Sequence, residues 1–212
     1  MRTLALISIF LASNSFAQND TAERIMQMMG ALNQQASQAQ NEGNYVQAEE
    51  SRRQLISLME QVNFRPAEIS RQLSNLASVL NILDQQEEAL IALERALELL
   101  EENPTNDRVQ IAVLQGNLGE ALFKHGELDS ARERYENELE ILRELSMENT
   151  HFAASARVGI GKIEAQLGDY DEALTHYEFA IPIFRSISDD THPVTSRVLA
   201  EYEEIRSNVD SQ

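Results

Sequence analysis

The chain has 212 residues, with 17 Lys and Arg against 35 Asp and Glu, a formal net charge of −18. That excess of acid repels phosphate backbones and anionic lipid surfaces, so nucleic acid and acidic membranes are not expected partners. There is no cysteine, which excludes a disulfide framework, thiolate metal ligation and lipid attachment through a thiol.

The first residues, "MRTLALISIFLASNSFAQND", carry one early cation at Arg2, an apolar run from Leu4 to Ala12, and small residues at Ser15 and Ala17. This is the pattern of a secretory signal peptide over residues 1–17. A membrane anchor needs roughly 20 apolar residues, and Ser13 and Asn14 interrupt this run well short of that. The mature chain is therefore expected to begin at Gln18, to be exported to a periplasm or released, and to carry no membrane anchor. Removing Arg2 and no acid takes the charge from −18 to −19. Apolar residues make up 42%, enough for an ordered core, and no low-complexity linker divides the chain. Residues 18–212 are expected to fold as one unit.

Four segments along the mature chain share one spacing: "GNYVQAEESRRQL" from Gly43, "DQQEEALIALERAL" from Asp84, "GELDSARERYENEL" from Gly126 and "GDYDEALTHYEFAI" from Gly168. Their first alanines, Ala48, Ala89, Ala131 and Ala173, are separated by 41, 42 and 42 residues. Such regularity marks an internal repeat. Each unit reads as two amphipathic helices, for example Leu114, Leu118, Ala121 and Leu122 before the glycine and Ala131, Tyr135, Leu139 and Leu142 after it. The glycine, or Asp84 in its place, suits the left-handed turn that closes the first helix. Ala77, Gly119, Gly161 and Ala173 let the paired helices approach, while Tyr170 and Tyr177 fill the space between them. A two-helix unit cannot bury its apolar face alone, so the units must stack.

These residues resemble the tetratricopeptide repeat, in the 42-residue form of kinesin light chain-like proteins. Leu73, Leu76, Ala77 and Leu80 carry the likeness in the second unit, and Leu118, Gly119, Leu122, Gly126, Leu128, Ala131 and Tyr135 in the third. Ile160, Gly161, Gly168, Tyr170, Ala173, Tyr177 and Ala180 carry it in the fourth. The resemblance implies an all-α, right-handed superhelical solenoid of four two-helix units, about 21–62, 63–103, 104–148 and 149–188, closed by a capping helix at about 193–208. Three departures stand out: Gln35 and Arg52 sit at normally apolar places, Glu138 replaces the second alanine and loosens the packing there, and Pro182 should kink or end its helix.

In that family the first helix of each unit lines a concave groove. The register transfers this role to Asn33 and Ser37, to Arg71, Ser74, Ser78 and Asn81, to Gly116, Glu120, Phe123 and Lys124, to Val158, Lys162 and Gln166, and to Arg197 of the last helix. The only two lysines of the chain fall in this set. Cations inside the groove of an acidic body would favour a protein or peptide partner that bears carboxylates.

Nothing in the sequence supports catalysis. His125, His151, His176 and His192 stand singly, His176 on an expected outward helical face, and no nucleophile elbow, phosphate loop or H-E-x-x-H helix occurs. The acids lie along helices without a calcium-binding turn. Met26, Met28 and Met29 could ligate monovalent copper, but Ile25, Met29 and Leu32 have the spacing of core packing. The sequence thus reads as a non-enzymatic, monomeric binding module without cofactor or metal. The alternatives are a self-associating structural protein and a methionine-based metal binder.

Overall fold

The computed structural model describes residues 2–102 and 107–209, with side chains from residue 21 onward. The leader read in residues 1–17 therefore lies outside the residues whose side chains are described. The described residues form helices and no strand: α1 (Arg2–Asn41), α2 (Tyr45–Gln61), α3 (Pro66–Ile82), α4 (Gln86–Glu101), α5 (Arg108–His125), α6 (Leu128–Glu144), α7 (His151–Leu167), α8 (Tyr170–Ile187) and α9 (Pro193–Val209). They fall into two compact units, Met1–Arg65 and Pro66–Gln212. Among the described residues no helix is long and apolar enough to cross a membrane.

The repeat in the sequence is a repeat of one turn. α1, α3, α5 and α7 are each closed by a residue with positive φ: Gly43 (75°), Asp84 (62°), Gly126 (87°) and Gly168 (91°). At Gly168 the backbone N–H donates to Ala165 O (3.2 Å), and the next N–H, that of Asp169, donates to Glu164 O (2.9 Å). These two bonds satisfy carbonyls that the helix end would leave bare. Asp169 is already the N-cap of α8, and its carbonyl accepts from Ala173 N–H (3.0 Å). The same pattern sets Ala48, Ala89 and Ala131 one turn past their own caps. With so short a turn the second helix has no room to swing away, and all four alanines are fully buried. Asn63 (φ 49°) and Ser146 (φ 56°) close α2 and α6 in the same left-handed conformation, a use of non-glycine residues that the repeat pattern does not announce.

In the Met1–Arg65 unit, α1 and α2 pack through Met29, Ala36, Ala39, Ala48, Leu55 and Met59. Gln35 is exposed, as a polar residue should be. Arg52 is instead buried and donates to Gln40 Oε1 (3.0 Å).

In the Pro66–Gln212 unit, α3 packs on α4, α5 on α6 and α7 on α8. The first helices also touch one another, α3 with α5 and α5 with α7, so they form one continuous layer backed by the second helices. The two layers interlock through glycine. The Tyr135 ring of α6 lies against Gly119 of α5 and Gly159 of α7: a Cβ added at Gly119 would sit 2.9 Å from ring carbons, and one at Gly159 would sit 2.6 Å from Cε2 and closer still to Cζ. Tyr177 of α8 stands in the same way against Gly161, 2.8 Å from a Cβ there. Both tyrosines are buried.

Pro182 neither ends nor shortens its helix, since α8 runs on to Ile187. The intrahelical acceptor that loses its donor is the carbonyl of Glu178, and both Glu178 and Pro182 face solvent, where water replaces the missing bond. α9 then lies on α8, with Val198 and Ile205 entering the cluster of Ala154, Val158, Tyr177, Ala180 and Phe184. Its far side carries Ser196, Ala200, Glu203 and Arg206, all exposed. α9 therefore closes the stack with a polar surface.

If the left-handed turn is what fixes the repeat, Gly168→Ala should lower stability by about 1–2 kcal/mol. Gly30→Ala, mid-helix with nothing near the added carbon, should instead raise stability by up to about 1 kcal/mol. Urea midpoints with an unchanged m-value check both.

Candidate functional site

The exposed side of the α3–α5–α7 layer holds two clefts. The first, about 230 Å³, is lined by Ser74, Ser78 and Asn81 of α3 and Asn117, Glu120 and Lys124 of α5. The second, about 330 Å³, is lined by Phe123 of α5, Lys162 and Gln166 of α7, Tyr170 of α8, and Glu201 and Ile205 of α9. Eight of the groove residues expected from the sequence thus meet in two neighbouring clefts of one unit.

Each cleft has the same chemical centre. In the first, Glu120 Oε1 pairs with Lys124 Nζ at 3.1 Å and its Oε2 accepts from the Tyr135 hydroxyl at 3.2 Å. In the second, Glu201 Oε1 pairs with Lys162 Nζ at 3.4 Å and its Oε2 accepts from the Tyr177 hydroxyl at 3.0 Å. Burial first, and then the neighbouring carboxylate, push both phenols well above their ordinary range. They stay protonated and act as donors. Two further bonds cross-link the first cleft: Asn117 Nδ2 donates to Ser74 Oγ (3.0 Å) and Ser78 Oγ to Ser74 O (3.2 Å).

The expected positive groove is replaced by balanced pairs. Lys124 stands on Glu120, and Lys162 and Arg197 share Glu201, Arg197 Nε at 3.9 Å. Arg71 pairs with Glu68. The cause is local: each cation lies one helical turn from an acid or opposite an acid of α9. Val158 is not at the surface of either cleft. It is 5% exposed and packs in the cluster with Ala180, because the small Ala180 lets it sink between the layers. Asn33 and Ser37 are exposed in the Met1–Arg65 unit.

His176, expected outside, is 9% exposed. Second helices pack on the helix that follows as well as on their own first helix, α8 on α9 as well as on α7, which narrows their outer face. Burial, and then Arg157, lower its pKa, so it is neutral and its Nε2 lies 3.7 Å from Glu172. Met29 is buried, while Met26 and Met28 are each 55% exposed; the described residues hold no cluster of three His, Asp or Glu side chains suited to a metal.

The residue that the sequence misjudges most is Glu138. Its substitution for alanine does not loosen the packing, because Gly116 of α5 makes room for it. A Cβ on Gly116 would lie 2.7 Å from the Glu138 carboxyl carbon. The side chain is 4% exposed, and burial raises its pKa from 4.5 to about 8. The sign was available in the sequence: the place of Gly116 is held by Ser74 and Val158 in the neighbouring units, where the facing residues are Ala96 and Ala180.

With this geometry in hand, comparison with known proteins identifies the family. A family described as "Tetratricopeptide repeat" matches residues 68–144 and 152–205. The chain belongs to the tetratricopeptide repeat family. No curated protein sequence matches it. Among solved structures, BtubC (BKLC) from P. vanneervenii is 19% identical with a TM-score of 0.75, over 93% of this chain and 78% of that one. The apo form of RapI is 20% identical with a TM-score of 0.73, over 86% of this chain and 64% of its own length. At such identities the likeness is one of fold, and the fold is that of tetratricopeptide solenoids.

Two outcomes test the Gly116–Glu138 fit. Gly116→Ala and Glu138→Ala should not be additive, Gly116→Ala being tolerated far better once Glu138 is gone, with a coupling of about 0.5–3 kcal/mol in a double-mutant cycle. The second concerns pH. Between 4.5 and about 8 the folded state keeps a proton on Glu138 that the unfolded state has lost, so this residue makes stability fall as pH rises across that window. Glu138→Gln should therefore melt higher than wild type at pH 8, and the gap should close as pH falls below 4.5.

Proposed function

We propose that this tetratricopeptide repeat protein is an adaptor that holds a segment of a partner protein against the α3–α5–α7 layer. The reading rests chiefly on the two clefts of that layer, each walled by an aromatic or aliphatic side and centred on a Lys–Glu–Tyr triad. Hydroxyl, amide and ion-pair groups in an open cleft can bond to the backbone and polar side chains of an extended segment, and the apolar walls exclude water from those bonds. Because each cation already faces an acid of the protein, a carboxylate on the partner would meet Glu120 or Glu201 as a like charge. A segment with cationic or mixed charge matches the face better than the carboxylate-bearing partner that the lysines alone suggest.

The remaining elements of the reading come from the sequence. The opening residues support export and a periplasmic or secreted location, with a mature N-terminus at Gln18. The 41- and 42-residue spacing supports the kinesin light chain-like subtype, with repeats at about 21–62, 63–103, 104–148 and 149–188. The polar outer side of α9 favours a monomer over end-to-end assembly, and no group in either cleft is arranged for a reaction.

The test is capture from a cell-envelope extract by wild type and by a Ser78→Trp, Gln166→Arg variant. Both positions are exposed, so the variant blocks the face without touching the triads, and its melting temperature should equal wild type. One or a few proteins held by wild type and lost by the variant are expected. Equal retention by both would refute the groove, and concentration-dependent oligomers without any partner would favour the structural alternative.

A further inference from the structure

Three places of the repeat depart together in the fourth unit. Counted from the shared alanine, Ala153 of α7 stands where the second and third units have Ile69 and Ile111. Arg157 stands where they have Leu73 and Gln115, and Phe179 of α8 where they have Arg95 and Asn137. Ile69 and Ile111 are both buried, so the change to alanine takes most of a core side chain out from between the helices. What it leaves is a cleft of about 290 Å³, walled by Leu139 of α6, Ala153 and Arg157 of α7, and Phe179 of α8. This cleft shares no residue with the two clefts of the front layer and lies among the second helices, on the back.

The polar group in its wall is a cation without an acid. Arg132 is paired with Glu164, and Arg143 with Glu140 at the exposed rim of the cleft. Among the described residues no ion pair or hydrogen bond engages Arg157, not even with Glu148, which lines the same cleft. Its guanidinium lies over the Phe179 ring, 4.8 Å from the centroid, and its Nε is buried and unbonded. A ring face attracts the charge but accepts none of the in-plane N–H groups, and a donor left open in a protein interior is costly.

We propose that this cleft is a second binding site, for a small organic acid that carries one carboxylate on an aromatic or aliphatic body. The carboxylate accepts from the guanidinium of Arg157, whose planar donors match its two oxygens, and the body lies on Leu139, Ala153 and Phe179. One unpaired cation with Glu140 and Glu148 close by suits a single negative charge and not a phosphate dianion. The volume is that of a small ligand pocket. A net charge of −18 repels an acidic protein segment at long range far more than a monoanion, which favours a free acid over the end of a chain. The site is separate from the front face and does not depend on the adaptor reading.

The experiment titrates 3-phenylpropionate, and separately its uncharged amide, into the isotopically labelled protein and reads the backbone amides. The acid is expected to shift Ala153, Arg157 and Phe179 with a saturable response in about the millimolar range, about tenfold tighter than the amide. Two variants remove the site in different ways: Arg157→Leu takes away the guanidinium, and Ala153→Ile fills the cleft. Each gives the position the residue that the second unit has there, Leu73 or Ile69, so both should stay folded and lose the response. The Ser78→Trp, Gln166→Arg variant should keep it, which lets this site and the front face stand or fall separately. Equal responses to acid and amide, an undiminished response in either cleft variant, or no saturable shift at the three residues would each overturn the site. Tighter binding of an acetylated glycine peptide ending in phenylalanine with a free carboxylate would overturn its assignment to a free acid.

Discussion

The constraint on which the structure depends is the contact between side chains of the second helices and the bare backbone of the first. Tyr135 can lie between α5 and α7 only because residues 119 and 159 are glycines, and Tyr177 can lie on α7 only because residue 161 is one. The two-residue turns at Gly126 and Gly168 hold each helix pair tightly enough for those contacts to form. A longer connection would let the second helix tilt away and would cost the rings their burial. Close packing of a large group against a missing one contributes dispersion and hydrophobic energy in the third and fourth units.

The same contact carries groups of the back layer to the working face. Tyr135 and Tyr177 cross the front layer beside their glycines and deliver their hydroxyls to Glu120 and Glu201. Glu138 reaches Gly116 and fills the space of the missing Cβ with its carboxyl, beneath the surface. The face is therefore built by two layers, and its electrostatics cannot be judged from the first helices alone. This is why the lysines, read in isolation, suggest a positive groove while the folded protein shows neutralised triads: Lys162 meets its acid only when α9 folds back over α7.

Much of this was legible in the sequence. The alanine spacing gave the turns, Asp84 included, and the helix pairs that follow from them. Gly119 and Gly161 are the points of close approach that their place in the repeat predicts, and eight of the groove residues line the two clefts. What escaped was pairwise. Residues 93, 135 and 177 are Leu, Tyr and Tyr, and the residues at the matching first-helix place are Ala77, Gly119 and Gly161; residues 96, 138 and 180 are Ala, Glu and Ala against Ser74, Gly116 and Val158. Size on one helix is compensated on the other, so a departure such as Glu138 has meaning only beside its partner. The burial of Val158 and His176 has a related reason, since a periodicity assigns a face but not what covers it.

The most direct test of the account is the sign of Gly159→Ala in two backgrounds, measured by thermal or chemical unfolding. In wild type the added methyl meets the Tyr135 ring, which is rigid and buried, and stability should fall by about 1–3 kcal/mol. In Tyr135→Ala the ring is gone, the methyl fills part of the space it leaves, and the helix propensity gained by replacing glycine, up to about 1 kcal/mol, should make the same change stabilising. A reversal of sign is the expected result. The same sign and size in both backgrounds would contradict the interlock of ring and glycine from which the rest of the structure follows.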